Sequence, residues 1–434
     1  MIKKKIIYFG LSADFIHHGH IKIIEEAVKY GSVVVGLLTD SAILKNKPLP
    51  YLKYEERKKI VLNIKGVDRV VPQNEWGYSL NLKKIKPDYM IHGDDWKTND
   101  PGNRKESIKT LESYGGNLIE VPHTKGISSK QLKDSVNSNI SLSEKRKEIF
   151  DRLLNSDKLL RIVEVHSPIS SILAENTSIK KNNQNIFFDG FWSSSLSDST
   201  FLGRPDNEIL SPLSRLGMVR SIFETTSKPL IMDGDTGGKP EYFGSFVKSM
   251  DMAGVSAVII EDKKGLKKNS LFGNAVKQEM ESIKNFSEKI KIGQASKLSE
   301  NFKIFARLES LILDRGLDDA LKRAEQYIKA GADGIMIHSK SIQPDEIFKF
   351  AKYYKKNISK KTLICVPSTY NHVKYEEFEK KDFDIVIYAN QLIRASLFNI
   401  EKTLVGILKN GRTKEIEKNL ISINKILNLI PGTK

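Results

Sequence analysis

PLIMDGD, residues 229–235, and AVIIED, residues 257–262, are apolar runs that each end in carboxylates. The same pattern, a short apolar run closed by polar residues, recurs along the second part of the chain as eight strand candidates. They read RIVEVHS, NIFFDGFWSS, PLIMDGD, AVIIED, FKIFARLES, GIMIHS, TLICVPST and DIVIYAN. Most are followed by a segment with helical periodicity, as DEIFKFAKYYKK follows GIMIHS. Eight strand–helix units in under about 300 residues predict a (β/α)8 TIM barrel.

The preceding part of the chain alternates short apolar runs, such as KIIYFG and SVVVGLLTD, with helix-like segments such as GHIKIIEEAVKYG. This alternation predicts a parallel sheet covered on both faces, in a doubly wound, Rossmann-like α/β domain. A stretch rich in Ser and Asn without periodicity is predicted to be a linker. We therefore predict a nucleotide-binding domain over residues 1–137, a linker over 138–147 and the barrel over 148–434.

The composition narrows the class of protein. With 434 residues, 39% of them hydrophobic and 28% charged, the chain can bury large cores, which excludes a long disordered protein. No apolar run reaches the roughly 20 residues that a membrane helix needs, and the N-terminus lacks a cleavage signal, so we expect a cytoplasmic protein without membrane contact. The single cysteine, Cys365, excludes a disulfide framework.

The net charge of +17 raises the question of anionic partners. The lysines are spread along the chain, mostly on the polar faces of helix-like segments, rather than gathered into one stripe. This distribution favours small phosphorylated metabolites over nucleic acid as partners.

Polar side chains follow most of the predicted barrel strands. In a barrel the carboxyl ends of the strands meet at one mouth, where the active sites of this fold lie. The side chains concerned include Asp233, Asp235, Glu261, Lys263, Arg307 and His338. The three acids, on adjacent strands, can hold a hard cation through oxygen atoms and water, as Mg²⁺ prefers. The three cationic groups would meet an anionic substrate.

Six motifs in this region occur together: GFWSSSLSDSTFLGRPDNE, MDGDTGG, IIEDKKGLKKNS, ARLES, IMIHSK and YANQLIRAS. Over about residues 145–410 the chain resembles phosphoenolpyruvate mutase, of the isocitrate lyase superfamily. The resemblance implies interconversion of phosphoenolpyruvate and phosphonopyruvate through a loose, metaphosphate-like state, for which the enzyme positions groups and neutralises charge. EDKKGLKKNS lacks the signature cysteine of the superfamily's lyases. Asn269 favours a mutase over the related phosphonopyruvate hydrolase, which stays open as an alternative.

The resemblance also assigns roles to single residues. It implies Mg²⁺ held at Asp235, with Asp233, Glu261 and Asp206 acting mainly through bound water. The implied substrate-binding residues are Trp192, Ser194, Ser195, Leu196 and Lys263. The implied catalytic residues are Asp206, Arg307, His338, Lys267 and Asn269, the last two on a gating loop from Lys263 to Ser270.

In the first domain, GLSADFIHHGHIKII places His17 and His20 three residues apart at the start of a predicted helix, with Gly19 between them. Residues at this spacing share one helical face, and a helix N-terminus offers amide donors to phosphate. Two imidazoles there could stabilise charge on an α-phosphoryl group under attack. The HxGH pattern therefore indicates a nucleotide site.

HxGH, Lys47, the run from Tyr54 to Ile60, GDDW at 93–96 and TKGISSK at 124–130 occur in the order seen in HxGH nucleotidyltransferases. The domain resembles that family, and TKGISSK is closest to its cytidylyltransferase form, which implies CTP. The resemblance implies catalytic roles for His17, His20 and Lys47, and nucleotide binding by Gly10, Gly19, Arg57, Ser128 and Ser129. The sequence departs from the family in two places: Gly10 and Asp14 are one residue further apart than in GxFD, and His123 replaces a common arginine.

A mutase behind a cytidylyltransferase resembles the two-domain enzyme of fosfomycin biosynthesis. We expect a bifunctional enzyme of phosphonate biosynthesis, in which the first domain transfers CMP to a small phosphonate such as 2-hydroxyethylphosphonate. A homo-oligomer is expected from the family of the barrel. The departures near the triphosphate site leave one alternative, a mutase whose first domain is an inactive binding module.

Overall fold

The computed structural model describes residues 4–122, 143–181, 184–265 and 267–430. Among these residues, no helix combines the length and the apolar character needed to cross a membrane.

The N-terminal domain is a five-stranded parallel sheet with helices on both faces, as predicted. The strand order is β3-β2-β1-β4-β5, so the chain reverses direction across the sheet between β1 and β4. The strands are β1 Ile6–Leu11, β2 Ser32–Leu38, β3 Arg69–Gln73, β4 Tyr89–Gly93 and β5 Asn117–Val121. The helices are α1 His18–Val28, α2 Asp40–Leu44, α3 Tyr54–Leu62, α4 Ser79–Ile85, α5 Trp96–Asn99 and α6 Pro101–Glu112. Ligands of such sheets bind beyond the carboxyl ends of the strands, at the switch between β1 and β4.

The C-terminal domain is a closed parallel barrel, which confirms the second fold prediction. All eight predicted strand segments form barrel strands. They are β6 Leu160–Glu164, β9 Gly190–Ser193, β10 Leu230–Asp233, β11 Ala257–Glu261, β14 Lys303–Leu308, β15 Gly334–Ile337, β16 Thr362–Cys365 and β17 Ile385–Tyr388. Two antiparallel pairs lie outside the barrel: β7 Ser178–Lys181 with β8 Gln184–Phe187, and β12 Lys263–Lys264 with β13 Glu279–Met280.

Helices connect the barrel strands and surround them. They are α7 Ser143–Leu154, α8 Pro168–Asn176, α9 Ser195–Phe201, α10 Pro212–Phe223, α11 Pro240–Met252, α12 Ile283–Ser296, α13 Gly316–Lys329, α14 Asp345–Tyr353, α15 Tyr375–Glu379, α16 Gln391–Asn410 and α17 Ile423–Leu429. Short 3₁₀ turns cover Ser270–Ala275 and Glu417–Asn419, and a π-helical turn covers Tyr354–Ile358.

The predicted linker, residues 138–147, is corrected by the structure at its C-terminal end. Residues 138–142 lie outside the described residues, whereas 143–147 already belong to α7. The buried face of α7 includes the charged residues Arg146 and Lys147. Because these two residues are polar, the sequence does not show the apolar periodicity that is typical of a packed helix. Arg146 donates to the carbonyl oxygens of Phe223 and Thr226, and Lys147 forms a buried ion pair with Asp251.

The helix α7 closes the amino end of the barrel. Its buried Phe150 and Leu153 belong to one apolar cluster with the side chains that fill the barrel interior, among them Ile231 and Phe305. Leu44 and Leu49 of the N-terminal domain belong to the same cluster. The two domains therefore share a core at the end of the barrel opposite its mouth.

Candidate active sites

The residues at the carboxyl ends of β10 and β11 form one part of the barrel mouth. Asp233 ends β10, and its Oδ1 accepts a hydrogen bond from the amide of Asp235 at 3.1 Å. Asp235 adopts a positive φ of 53°, and its carbonyl accepts from the amide of Glu261 at 2.8 Å. A non-glycine residue with positive φ is uncommon, and such strain concentrates at functional sites. The backbone thus turns two aspartates and one glutamate toward the same region.

The described part of the predicted gating loop lies over this region, and Lys267 is inserted among the carboxylates. Its Nζ lies 2.5 Å from Asp235 Oδ1, 3.3 Å from Asp233 Oδ2 and 3.5 Å from Asp206 Oδ1. Asn269, two residues later, donates from Nδ2 to Asp206 Oδ2 at 2.8 Å. The structure therefore brings four of the predicted residues of the barrel site into one buried cluster with Lys267 in its centre.

Burial and charge act in opposite directions on these carboxyl groups. Burial raises the pKa of Asp235 to about 6 and that of Glu261 to about 7, although neighbouring cations offset part of the shift. Burial would also raise the pKa of Asp233, but Lys267 and Arg307 hold it well below the ordinary value. This concentration of buried negative charge requires positive charge close by.

Arg307 on β14 and His338 directly after β15 lie on the two strands that follow β11 around the barrel, and they share one partner. Arg307 Nε donates to Glu309 Oε1 at 2.6 Å, and its Nη2 lies 3.2 Å from Glu261 Oε2. His338 Nδ1 lies 3.5 Å from the same Glu309 oxygen. Burial, with the nearby Arg307, lowers the pKa of His338, so its imidazole is neutral at pH 7. Lys263, whose Nζ lies 3.2 Å from Glu261 Oε1, donates to the carbonyl of Lys268 and thereby ties down the gating loop.

The segment after β9 supplies the predicted substrate-binding residues. Ser195 donates from its hydroxyl to Asp233 Oδ2 at 2.8 Å, and Ser194 is buried at the start of α9. Leu196 is half-buried in the first turn of that helix. The buried indole nitrogen of Trp192 has no hydrogen-bond partner within the described residues. Three of these four side chains are buried, and Ser195 belongs directly to the carboxylate cluster.

The sequence patterns did not predict two further residues of this site. The buried Arg215, in the first turn of α10, donates to Asp198 Oδ2, the carbonyl of Asp233 and the carbonyl of Ser193, each at 2.7 Å. Glu208 accepts from the amide of Lys267 at 3.2 Å. Neither residue lies at the end of a predicted strand, so the pattern that revealed the others could not reveal them.

The family resemblance implies Mg²⁺, so the donor atoms of the barrel mouth have to suit this ion. Asp235 Oδ2 is buried without a hydrogen-bond partner in the part of the chain that the structure describes. Asp206 Oδ1 and both carboxylate oxygens of Glu261 make no hydrogen bond there either, but cationic nitrogens of Lys267, Lys263 and Arg307 lie 3.2–3.5 Å from them. Hard oxygen donors of this kind suit Mg²⁺. Within the described residues, no three His, Cys, Asp or Glu side chains are already grouped as metal ligands, and the Lys267 ammonium lies among these carboxylates. The donor set fits the ion, provided that Lys267 withdraws.

In the N-terminal domain, His17 and His20 come together at the start of α1. His17 caps the helix, with Nδ1 accepting from the Gly19 amide at 3.2 Å, and His20 Nδ1 accepts from the His17 amide at 3.3 Å. The ring centroids are 3.9 Å apart. Burial, and then the neighbouring His17, lowers the pKa of His20 to about 4. His20 is therefore a neutral imidazole at pH 7.

The extra residue between Gly10 and Asp14 is absorbed by an unusual backbone conformation. Ala13 has a positive φ of 56° and a buried side chain. Directly after it, Asp14 Oδ1 accepts from the amide of Tyr51 at 2.6 Å. Gly10 lies so close to Tyr78 that a Cβ would come within 2.2 Å of the ring, which accounts for glycine there.

The remaining predicted nucleotide-site residues have different surroundings. Lys47 Nζ lies 5.1 Å from the ring centroid of Trp76. Arg57, predicted to bind the nucleotide, is fully buried and donates to Asp40 Oδ1 at 2.6 Å and to the carbonyl of Leu38 at 2.9 Å. The sequence did not reveal that these internal acceptors engage its guanidinium. Ser128 and Ser129, with the rest of TKGISSK, lie outside the described residues.

These two sites define an α/β enzyme with an acid-lined, lid-covered barrel mouth and a separate HxGH site. Residues 150–408, more than half of the chain, match the phosphoenolpyruvate phosphomutase family model, so the chain belongs to that family. Residues 8–135 match the cytidylyltransferase-like model. The chain is thus an enzyme of the phosphomutase family with an additional nucleotidyltransferase domain.

Individual relatives agree with this division. The phosphoenolpyruvate phosphomutase of Tetrahymena pyriformis is 31% identical over 299 residues, which cover 69% of this chain and 95% of the relative. The glycerol-3-phosphate cytidylyltransferase of Bacillus spizizenii is 34% identical over 137 residues, or 31% of this chain and 98% of the relative. A phosphonopyruvate hydrolase, solved in complex with oxalate and Mg²⁺, matches with a TM-score of 0.58 and 31% identity, covering 65% of this chain and 94% of the solved one.

Proposed function

We propose that the barrel interconverts phosphoenolpyruvate and 3-phosphonopyruvate. The observation that carries this proposal is the buried cluster of Asp206, Asp233 and Asp235 around the gating-loop residue Lys267. In the reaction the bond from phosphorus to the enol oxygen breaks and a bond from phosphorus to C3 of the same molecule forms. Protons do not have to be exchanged for this transfer, so the site has to position the substrate and neutralise charge.

Asp235 is the residue we propose to hold Mg²⁺, with Asp233, Glu261 and Asp206 reaching the ion mainly through water. When bound, the ion would neutralise oxygen atoms of the substrate as a Lewis acid. The Lys267 ammonium lies among the carboxylates proposed to hold Mg²⁺, so it would have to move when the ion binds and could then meet the phosphoryl group.

The other side chains of the barrel mouth would bind the substrate and exclude water. Arg307 and neutral His338 would donate to phosphoryl and enol oxygens, while Ser195 and its neighbours in α9 would bind the carboxylate and phosphoryl end. Asn269, on the closed loop, would contact the transferring group and exclude water from it. Exclusion of water matters because water attacking the phosphoryl group would turn the mutase into a hydrolase.

We further propose that the N-terminal domain transfers CMP from CTP to a small phosphonate such as 2-hydroxyethylphosphonate. A phosphonate oxygen would attack the α-phosphorus while the bond to the β-phosphate breaks and pyrophosphate leaves. The paired imidazoles of His17 and His20 at a helix N-terminus support this proposal, because ring and backbone N–H groups there can bind phosphate, and we propose that Lys47 neutralises charge on the triphosphate.

Phosphorus NMR of the full chain with Mg²⁺ tests both reactions. Phosphonopyruvate alone should give phosphoenolpyruvate, and CTP with a panel of small phosphonates should give pyrophosphate and a new diphosphate-type signal. Inorganic phosphate in place of phosphoenolpyruvate would instead establish the hydrolase, which the 31% identity to a phosphonopyruvate hydrolase keeps as the second candidate. An absence of both new signals with CTP would leave the first domain as a binding module.

We also propose that the chain assembles as a homo-oligomer through α16. This helix follows the last barrel strand, yet Ile393 is its single buried residue within the described structure. Its exposed apolar side chains include Phe398, Leu404 and Leu408, the last 85% exposed. A second copy offers the same apolar face, which suits a symmetric interface.

Sedimentation analysis tests the assembly. The wild type should sediment as a dimer or larger species, and the double substitution Leu404→Glu with Leu408→Glu should shift it to the monomer. Because both side chains are exposed, the substitutions should not disturb the fold of the chain itself. A monomeric wild type at micromolar concentration would contradict the proposal.

A further inference from the structure

The connection between α2 and α3, residues 45–53, lies between the nucleotide site and the barrel, and we call it the bridging loop. Leu49 within it and Leu44 just before it are buried in the core at the amino end of the barrel. The carbonyl of Asn46 accepts from Nδ2 of Asn185, in β8, at 3.2 Å. The loop that carries Lys47 is therefore packed against the second domain.

One residue of this loop contacts both domains through its peptide groups. The amide of Tyr51 donates to Asp14 Oδ1 at 2.6 Å, next to the nucleotide site. Its carbonyl accepts from Arg152 Nη1 at 3.3 Å and from Lys145 Nζ, both on α7 of the barrel domain. Arg152 Nη1 also donates to the carbonyl of Pro50 at 2.7 Å.

A second series of contacts runs through Asp40, at the start of α2. Its Oδ2 accepts from Arg152 Nη2 at 2.8 Å and its Oδ1 from Arg57 Nη2 at 2.6 Å. The fully buried Arg57 in turn donates from Nη1 to the carbonyl of Ser12. One carboxylate thus joins an arginine of each domain, and such charge-assisted bonds are among the strongest available to side chains.

Both series end on residues that flank Ala13. Ser12 and Asp14 are held from either side, and between them Ala13 has the positive φ of 56° that accommodates the extra residue of this loop. A non-glycine residue persists in that conformation only where its surroundings enforce it. The backbone leading to His17 is therefore fixed by contacts that begin on the barrel domain.

We propose that Arg152, a residue of the barrel domain, is a positioning residue for the nucleotidyl transfer in the N-terminal domain. The inference rests on the proposed CTP-dependent activity. Arg152 contacts neither site directly. It acts through Tyr51 and Asp14 on one path and through Asp40 and Arg57 on the other, and so keeps His17 and His20 in place. The barrel domain is accordingly part of the nucleotidyltransferase scaffold.

The test compares Arg152→Ala, Arg152→Lys and wild type as full chains, with CTP and whichever small phosphonate the wild type accepts. Misplacing catalytic groups by about 1 Å can cost up to about 10²-fold in rate, so we expect kcat for pyrophosphate release to fall about 10- to 100-fold in Arg152→Ala. Arg152→Lys retains one donor and should recover part of the loss. Arg220→Ala, which removes an exposed arginine of α10, is the matched control and should leave both activities unchanged.

The mutase activity of the same variants reports on folding. A positioning role predicts unchanged turnover of phosphonopyruvate and an unchanged melting temperature of the barrel. Equal kcat for pyrophosphate release in Arg152→Ala and wild type would overturn the inference, and so would a parallel loss of both activities that Arg152→Lys does not relieve. A wild type that releases no pyrophosphate would refute the proposed CTP-dependent activity on which the inference rests.

Discussion

Asp235→Ala is expected to lower the turnover of phosphonopyruvate about 10³-fold, the size of effect seen when a preorganised charged contact to a transition state is removed. The carboxylate of Asp235 is buried, approaches the gating-loop Lys267 at 2.5 Å and has a second oxygen without a hydrogen-bond partner in the described structure. Its loss removes the proposed main ligand of the metal ion and a charge partner of the lid. Phosphorus NMR measures the rate, and titration with Mn²⁺ followed by electron paramagnetic resonance measures metal binding independently of activity.

Asp235→Asn separates charge from shape in this experiment. The amide keeps nearly the same volume but lacks the negative charge, so it should bind Mn²⁺ as weakly as the alanine variant. CTP-dependent pyrophosphate release should stay normal in both variants, because the sites lie in different domains. Wild-type affinity for Mn²⁺ in Asp235→Asn would show that the metal is held elsewhere.

His20→Ala is expected to reduce CTP-dependent pyrophosphate release by roughly 10²- to 10³-fold while phosphonopyruvate turnover remains at the wild-type rate. The imidazole of His20 packs against that of His17 with ring centroids 3.9 Å apart and is neutral at pH 7. Its Nδ1 accepts from the His17 amide, so the proton of the neutral ring is on Nε2, which can donate to the developing charge. Pyrophosphate release by the full chain measures the effect.

The adjacent His18 provides the control. It lies on the same helical turn but is exposed, and its ring meets that of His17 edge-on with centroids 6.3 Å apart, outside the His17–His20 pair. This variant should retain full activity. If His18→Ala and His20→Ala lost activity to the same extent, the assignment of HxGH as the reacting pair would be wrong.

The sequence was sufficient to predict both folds, because each barrel strand is a short apolar run closed by polar residues. The same regularity located Asp233, Asp235 and Glu261, since side chains at the carboxyl ends of barrel strands have to converge. The HxGH pattern located His17 and His20 for a comparable local reason: three residues of helix bring two side chains onto one face.

Local sequence patterns could not predict contacts between segments that lie far apart along the chain. Arg215 reaches the site from the first turn of a helix, away from any strand end. The buried face of α7 includes charged residues whose partners lie far along the chain. Arg57 matched a family motif, but its guanidinium points to internal carbonyls and Asp40. In each case the tertiary environment, rather than the residue type, decides what the side chain does.

The domains meet at the amino end of the barrel, through α7 and the bridging loop, whereas the barrel site opens at the carboxyl ends of the strands. Under the proposed function, a molecule made in the barrel is released into bulk water on the far side from the nucleotide site. Separate enzymes can then modify this molecule, and the resulting product can later bind to the other domain. Joining both activities in one polypeptide would thus fix their ratio in the cell rather than hand an intermediate from one to the other.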